Sequence, residues 1–381
     1  MPTPAELGYY MPAEWRRHTA TWLSWPKDPQ TWPERVPQVQ EIFLKMMAAL
    51  LPHETVNLLV DDAATEEMVR SRCGFPGAEN LRFHQIETVD SWIRDYGPNF
   101  LVSDVVSDIV SDTLQFVGDS ANKLPTEVGK LKCAGQPLAY NDWIFNAWGN
   151  KYEELKQDDS IPKRLECVLR FPRFEPGVVM EGGSIEVNGA GCVLTTEQCL
   201  LNPNRNPRLS RAEIEQYLKD YLGAPNVLWL GEGIVGDDTD GHIDDIARFV
   251  APNVIVCAVE DDPEDANYKL LQDNLKRLQK MTDAGGRPFE IVQLPMPGIV
   301  GGESTDNRNL DRLPASYANF YIANEVVLVP IFGHANDTRA LGILQTLFKT
   351  RRVVGINCEP LVWGMGTIHC VTQQQPHPDR C

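Results

Sequence analysis

The sequence lacks any uninterrupted hydrophobic run of the roughly 18 residues that a transmembrane helix requires. Its amino-terminal residues also lack a basic stretch followed by an apolar one, which is the pattern of a secretory signal peptide. We therefore expect a soluble, cytoplasmic protein that does not bind a membrane. Its 381 residues are 43% hydrophobic and 23% charged, which is ordinary for a globular chain.

Paired cysteines are also missing. The nine cysteines include no CxxC pair, which argues against a zinc site, and their odd number argues against a full disulfide framework. We expect most to be reduced, several of them as small core residues. No Walker or GxSxG sequence occurs, so we predict no cofactor. The cysteines are Cys73, Cys133, Cys167, Cys192, Cys199, Cys257, Cys358, Cys370 and Cys381.

Positive charge is scarce, since 35 Lys and Arg against 53 Asp and Glu give a formal net charge of −18. Proteins that bind nucleic acid normally carry a basic face, so this balance argues against a nucleic-acid partner. A negative cleft concentrates cations, and the balance therefore suits a small cationic substrate. Solubility alone is the simpler explanation of this charge.

What the chain does contain is a repeated pattern. Four segments, near residues 100, 188, 253 and 324, each combine a short strand, a tight turn and a β-branched strand, as in a β-hairpin. A fainter copy begins at residue 18. The four segments read GPNFLVSD…DTLQFVG, GGSIEVNGAGCVLTT, DIARFVAPNVIVCAVE and YANFYIANEVVLVPIFG.

Helical patterns alternate with these hairpins, and Ser210 with Glu213 forms a capping box at the start of one of them. The module of hairpin, helix and strand recurs about five times, at intervals of roughly 65–85 residues. We expect one α/β domain over residues 1–381 whose modules close radially around a central pocket. The stretch Val102–Asp112 is an extended hairpin or an insertion without a functional interpretation. The helical patterns are Pro33–Leu51, Asp62–Cys73, Ser210–Leu222, Asp262–Ala284 and Asp337–Lys349.

Two short motifs combine an acid with aromatic residues or glycines. In DSWIRDYGP, Asp95 lies between Trp92 and Tyr96, and such a set can hold a planar cation. The alternative is a turn at a strand end with a surface Arg94–Asp95 pair. In MEGGSIEVN, Glu181 precedes two glycines that permit close backbone approach, or it is a solvated acid in a tight turn.

The segment GDDTDGHIDD concentrates five acids and one histidine before an apolar strand. In an extended chain His242 and Asp244 share one face. The carboxylate can then hold the imidazole and raise its pKa, which suits a general acid or base. A solvated acidic loop and a metal site are the alternatives, although no second histidine lies near and the calcium-loop spacing is absent.

In WGMGTIHCVTQQQP, two glycines form a bend that leads to Cys370, so its thiol is well placed to protrude into a central pocket. The adjacent His369 points to the opposite face of an extended chain. We therefore predict that His369 packs or anchors the loop, and that His242 is the base. One thiol, one histidine and several acids can support covalent catalysis at an sp² carbon, and paired carboxylates suit a guanidinium.

At these residues the chain resembles the agmatine deiminase family, within the guanidine-modifying superfamily that also holds arginine deiminases and bacterial peptidylarginine deiminases. The resemblance spans most of the chain in the family's order. It implies a five-bladed α/β propeller, called a pentein, and hydrolysis of agmatine to N-carbamoylputrescine and ammonia. The similar stretches are MPAEWRRHTATWLSWP, WIRDYGP, EGGSIEVNG, TDGHIDD and GTIHCVTQQQP.

The resemblance also implies catalytic roles. Carried over position by position, Cys370 matches the nucleophile, His242 the general acid/base and Glu181 the acid that orients this histidine. The family usually reads GGGNIHC before the nucleophile, whereas this chain reads GMGTIHC, with Met365 and Thr367. This difference leaves the nucleophile in place and changes the loop that shapes the pocket for the substrate's tail.

Substrate-binding roles follow in the same way. Asp95 and Asp244 match the pair that grips the guanidinium, with Trp92 beside them. Agmatine also needs an acid for its distal amine, and we select Asp238 from the candidates Asp237, Asp238 and Asp240.

Three alternatives remain open at the level of sequence. The first is a deiminase of peptidylarginine or free arginine, and the second is an amidinotransferase that shares the thiol intermediate. The third, from another class, is a non-catalytic protein that binds polyamines or guanidines. The thiol, histidine and acid set argues against the third, because a binding protein has no use for a nucleophile. The oligomeric state is open, with a homo-oligomer among the alternatives.

Overall fold

The computed structural model describes residues 2–104, 136–301 and 312–378. Within these residues the strands form five separate sheets, two of four strands and three of three strands. In spatial order, one four-stranded sheet contains Tyr9–Tyr10, Asn99–Ser103, Leu138–Asn141 and Arg173–Phe174. The other contains Gln373–Pro376, His18–Ser24, Thr55–Val60 and Leu81–Gln85. The three-stranded sheets contain Asn226–Leu230, Cys192–Thr196 and Glu186–Val187; Ala247–Ala251, Val254–Val259 and Glu290–Pro295; and Tyr321–Ile322, Val326–Ile331 and Arg352–Asn357.

Every sheet is built on the same connection pattern. An antiparallel pair is followed by a strand that lies parallel to the second member of the pair. In one example, Ala247–Ala251 pairs antiparallel with Val254–Val259, and the helix Tyr268–Leu278 then leads to the parallel strand Glu290–Pro295. A parallel neighbour requires such a crossover. The α/β class is therefore confirmed. The copy predicted at residue 18 is not a hairpin, because His18–Ser24 takes its antiparallel partner from the other end of the chain.

The two ends of the described chain meet in one sheet. Gln373–Pro376 runs antiparallel to His18–Ser24, with Gln375 opposite Ala20. This pairing brings the loop that carries Cys370 against the amino-terminal segment, although the two are far apart in sequence.

Most predicted helices are present with small changes at their ends. Ser210 caps its helix, and Glu213 completes the predicted capping box. The pattern over residues 262–284 gives a shorter helix, because Asp262 accepts a backbone N–H in a tight turn and a loop with two glycines follows the helix. The longer helices are Val36–Leu50, Ala63–Arg72, Arg211–Leu222, Tyr268–Leu278 and Asn336–Leu347. The short α-helices are Ile93–Tyr96, Ala147–Asn150, Ile161–Arg164, Glu166–Leu169, Glu197–Leu200 and Glu359–Val362, and the 3₁₀ helices are Ala5–Leu7, Ala78–Asn80, Glu154–Ser160, Gly182–Ser184 and Ile243–Asp245.

The first predicted hairpin differs from expectation. Strand Asn99–Ser103 pairs with Leu138–Asn141, and the segment DTLQFVG that was expected to follow the turn lies outside the described residues. Most of the stretch Val102–Asp112 lies outside them as well. The connection is therefore much longer than the short turn that the hairpin pattern indicates.

The largest hydrophobic cluster packs the helix Val36–Leu50 against the strands Thr55–Val60 and Val326–Ile331. Cys370 and Ile368 belong to the same cluster, so close packing fixes the position of the candidate nucleophile. No helix in the described ranges is long and apolar enough to cross a membrane.

Candidate active site

The loop before Cys370 packs closely on two indole rings. A Cβ at Gly364 would lie 2.4 Å from Nε1 of Trp32, and one at Gly366 would lie 2.6 Å from Cζ3 of Trp92. Glycine is therefore required at both positions, because a side chain would push the loop away from these rings. The Cβ at Gly366 would also lie 3.2 Å from Sγ of Cys370, so a side chain at this position would press on the thiol.

Cys370 lines a cavity of about 290 Å³ whose wall is aromatic and acidic. Aromatic faces and carboxylates together attract a small organic cation. Of the residues predicted for the site, Cys370, Trp92, Asp95 and Asp238 line this cavity. The aromatic lining residues are Trp92, Trp148, Tyr152 and Trp363, and the acidic ones are Asp28, Asp90, Asp95, Glu154 and Asp238.

Asp95 is held by two donors. Its Oδ1 accepts the backbone N–H of Gly183 at 2.9 Å, and its Oδ2 accepts the indole N–H of Trp148 at 2.9 Å. Burial, and then the negative charge of Asp244, raise the pKa of Asp95 well above its ordinary value. A cation bound beside it would favour the ionised carboxylate.

Asp244 lies against the thiol. Its Oδ2 is 3.8 Å from Sγ of Cys370 and 2.7 Å from Nδ1 of His369. Burial opposes ionisation of Asp244, but the hydrogen bond and the charge of His369 outweigh it and lower the pKa. Its Oδ1 is buried without a hydrogen-bond partner among the described residues, and is therefore available to a ligand.

His242 is held by its backbone and is unpaired at its ring. Its N–H and that of Gly241 are donated to Oδ2 of Asp237, at 3.1 and 2.9 Å. Both ring nitrogens are buried without a hydrogen-bond partner in the described part of the chain, and Nδ1 lies 3.8 Å from Oδ1 of Asp95. A histidine in this state can accept a proton from a substrate.

Asp244 raises the pKa of His242, as expected, but it does not hold the imidazole and does not determine the net shift. Asp244 accepts a hydrogen bond from His369 instead, and burial lowers the pKa of His242 to about 3. Asp244 does favour the protonated ring, but the loss of hydration is the larger influence. His242 is therefore neutral near pH 7.

Glu181 is buried close to His242. One oxygen of Glu181, one ring nitrogen of His242 and Sγ of Cys199 lie within 4.8 Å of one another. Oε1 of Glu181 accepts Nε–H of Arg205 at 2.8 Å, whereas Oε2 has no partner in the described ranges. The acid and the histidine are thus neighbours, as predicted, but they are not hydrogen-bonded to each other in this state.

His369 has both ring nitrogens engaged by carboxylates. Nδ1 lies 2.7 Å from Asp244 and Nε2 lies 2.8 Å from Oε2 of Glu14, while its backbone N–H is donated to Oδ1 of Asn319 at 3.0 Å. This arrangement agrees with the predicted anchoring role, and it holds the loop on which Cys370 lies.

The sequence analysis missed a chain of buried charges behind this loop. Glu14 accepts one hydrogen bond from His369 and forms an ion pair with Arg248 at 2.9 Å, and Nε of Arg248 in turn donates to Glu186 at 2.8 Å. These charges lower the pKa of Glu14 despite its burial. One signal was available in the sequence, since Arg248 interrupts an apolar strand, and a charge at such a position needs a buried partner.

The three acids proposed for the distal amine have different surroundings. Asp238 lines the cavity, accepts a hydrogen bond from Tyr152 and lies 3.4 Å from Nζ of Lys151. Asp237 is occupied by backbone N–H groups, and Asp240 pairs with Arg205 and Lys151. Asp238 is therefore the one of the three on the cavity wall.

The sequence matches the model of the Porphyromonas-type peptidyl-arginine deiminase family over residues 10–376. The chain belongs to this family. It is 37% identical to the agmatine deiminase of Medicago truncatula, with 98% of each chain covered. It is 35% identical to that of Ectopseudomonas mendocina, with 99% of this chain and 98% of the other covered. The resemblance to agmatine deiminases is confirmed.

Solved structures give the same result. The agmatine deiminase of Enterococcus faecalis superposes on this chain with a TM-score of 0.85 at 33% sequence identity, and the match covers 100% of this chain and 99% of that chain. The similarity therefore extends over the whole length of the chain.

Gly183 lies so close to three of the predicted site residues that a side chain at this position would clash with them. A Cβ there would lie 2.6 Å from Nδ1 of His242, 2.9 Å from Oδ1 of Asp95 and 3.1 Å from Oδ2 of Asp244. We expect Gly183→Ala to lower kcat/KM by about 100-fold or more, because it displaces groups that must be held within a fraction of an ångström.

The matched control is Gly342→Ala, since a Cβ at Gly342 meets nothing within 4 Å and this glycine lies in the helix Asn336–Leu347. It should keep full activity and stabilise the fold by about 1 kcal/mol. Steady-state kinetics of both variants make the comparison, and an unchanged kcat/KM in Gly183→Ala would contradict it.

The buried imidazole also predicts a pH effect on stability. The pKa of His242 is about 3 in the folded protein against an ordinary 6.5, so between these values the unfolded chain binds a proton that the folded one does not. Stability therefore falls as pH drops through this window, by up to about 1.4 kcal/mol per pH unit. Urea unfolding at pH 7, 6 and 5 should show a shallower fall for His242→Gln, and parallel curves would disprove this account.

Proposed function

We propose that this protein hydrolyses agmatine to N-carbamoylputrescine and ammonia through a covalent adduct on Cys370. The observation that carries the proposal is the thiol of Cys370 at the wall of an acidic and aromatic cavity, with Asp95 on the wall and Asp244 3.8 Å from the sulfur. Two carboxylates match the planar N–H groups of a guanidinium. The identity to curated agmatine deiminases supports the same activity.

Substrate binding prepares the nucleophile. Burial, and then the charges of Asp244, Asp245 and Asp95, raise the pKa of the Cys370 thiol well above its usual value, so the free protein holds a neutral thiol. A guanidinium between Asp95 and Asp244 offsets their negative charge and favours the thiolate. Trp92 lies beside the bound cation on the cavity wall.

The first half of the reaction forms the adduct. The thiolate of Cys370 adds to the amidino carbon, while the proton of the thiol passes to the neutral His242. His242 then gives this proton to one amino group, the C–N bond breaks and ammonia leaves. A positively charged thiouronium remains on Cys370, stabilised by Asp95 and Asp244.

The second half releases the product. Water adds to the thiouronium carbon as His242 takes one of its protons. The C–S bond then breaks, the carbonyl forms, and His242 returns a proton to Cys370. The remaining proton, from the hydroxyl that becomes the carbonyl, is released to solvent, where it converts the ammonia to ammonium. Glu181 lies close enough to His242 to stabilise its protonated form in both halves.

The cavity favours agmatine over free arginine. Free arginine needs a cationic partner for its α-carboxylate, and the described lining residues include no Lys or Arg. The distal ammonium of agmatine needs an anion instead, and we assign Asp238 to it. Met365 also lines the cavity, with a backbone φ of 72° that favours glycine, so its side chain occupies space that glycine would leave open.

We also propose that the chain is one domain whose five sheets surround this cavity as the blades of a propeller. The shared module in all five described sheets and the pairing of the two chain ends support closure. The cavity lining comes from widely separated segments, which is expected of loops that converge on an axis.

The test is a panel of agmatine, free arginine and a blocked arginyl peptide, with ammonia and the carbamoyl product measured. Agmatine alone should give ammonia and N-carbamoylputrescine in equal amounts, without any amine acceptor. Release from the peptide alone would reassign the substrate. Dependence on ornithine or glycine would indicate an amidinotransferase, and no release from any substrate would leave a binding protein.

A further inference from the structure

The amide of Asn319 contacts the sulfur of Cys370. Its Nδ2 lies 3.2 Å from Sγ, and the residue is fully buried two positions before the strand Tyr321–Ile322. Asn319 was not among the residues predicted from the sequence. A buried amide next to a nucleophile requires a reason for its position.

The surroundings of Asn319 determine which way its amide faces. Its Oδ1 lies 3.0 Å from the backbone N of His369 and 2.7 Å from Oγ1 of Thr367. A backbone N–H can only donate, so the oxygen must face His369 and the NH₂ group must face Cys370. The hydroxyl of Thr367 adds a second donor to the same oxygen.

The sulfur needs such a donor. Asp95, Asp244 and Asp245 surround it with negative charge, and with burial they raise the pKa of the thiol. The imidazole of His369 cannot compensate, since both its nitrogens are bonded to carboxylates. The remaining favourable contact from its own loop is the backbone N–H of Thr367.

We propose that Asn319 donates a hydrogen bond that stabilises the thiolate of Cys370, and that Thr367 is the positioning residue that holds this amide in place. The inference rests on the proposed function only in treating Cys370 as the nucleophile. A hydrogen bond to a charged group adds enough stabilisation to change the thiolate population by about tenfold or more.

The experiment measures alkylation of Cys370 by iodoacetamide without substrate, followed by mass spectrometry of the peptide that contains it. We expect Asn319→Ala to alkylate about tenfold more slowly at pH 8 and to shift the pH–rate profile upward by about one unit. In turnover, kcat should fall by a similar factor with KM within about twofold, because the amide acts on the thiolate and not on substrate binding.

Three further variants separate a specific role from a structural one. Asn319→Asp keeps the acceptor for His369 and Thr367 but removes the donor, so it should slow alkylation at least as much as alanine. Thr367→Val should slow it by a few-fold, and Thr367→Ser, which keeps the hydroxyl, should restore the wild-type profile. Circular dichroism and the midpoint of thermal unfolding identify any variant that fails to fold.

The outcomes distinguish the two proposals. Wild-type alkylation profiles in folded Asn319→Ala and Asn319→Asp would overturn the role of Asn319, even in an active enzyme. An Asn319-dependent profile in a protein that turns over no guanidine would contradict the proposed function and support the hydrogen bond.

Discussion

Replacing Cys370 by alanine should reduce ammonia release from agmatine by at least about 10⁴-fold, to the level of the buffer. The reason is that the proposed reaction has no second nucleophile. Cys370 is the one free cysteine on the described cavity wall. Asp244, the carboxylate beside it, is engaged by His369 and carries the bound cation in this proposal.

Binding should survive this change, because Asp95 and Asp244 are untouched. We expect isothermal titration calorimetry of Cys370→Ala to give a dissociation constant for agmatine within a few-fold of the wild-type KM. The matched control is Cys167→Ala, since Cys167 is an exposed thiol outside the cavity lining, and it should retain wild-type turnover. More than about 1% residual activity in Cys370→Ala would remove the covalent mechanism.

The second large effect is expected for His242→Gln, with a fall in kcat of about 10³-fold and little change in KM. The imidazole moves protons in both halves of the proposed reaction, and glutamine cannot accept a proton. The ring of His242 is buried, and both its nitrogens lack a hydrogen-bond partner among the described residues. The glutamine side chain of the variant would therefore find no described group there to bind its amide.

Steady-state kinetics with agmatine measure this effect, and His53→Gln is the control, because His53 is an exposed histidine that does not line the cavity. A kcat within tenfold of wild type would show that another group carries the protons. Mass spectrometry of the quenched reaction adds an independent readout, since slower hydrolysis of the thiouronium adduct should leave Cys370 partly modified.

Local features of the structure could be predicted well from the sequence. The capping box at Ser210 and Glu213 depends on residues three positions apart, and alternating strand patterns around short turns produced three of the five hairpins correctly. The hairpin at Asn99–Ser103 was an exception, because its partner strand lies well beyond the nearest pattern that resembled one. The copy at residue 18 was the other, because His18–Ser24 pairs with Gln373–Pro376 near the opposite end of the chain.

The candidate site was predicted in part, through motifs whose residues lie close together in the chain. Cys370, Trp92, Asp95 and Asp238 meet at one cavity wall, and Glu181 lies near His242. Their roles stay predictions until the variants are measured. The partner of Asp244 could not be predicted, because an extended-strand argument pairs it with His242 two residues away, whereas it contacts His369, 125 positions away.

The sequence by itself determined the α/β modules, the reactive residue types and the family, because these depend on local periodicity and on short motifs. Tertiary structure alone decided which groups are charged and which contact the sulfur. Burial controls the pKa of His242, and the contacts of Glu14 with His369 and of Asn319 with Cys370 join residues 355 and 51 positions apart. Desolvation and long-range pairing arise only when the chain packs, so no local pattern contains them.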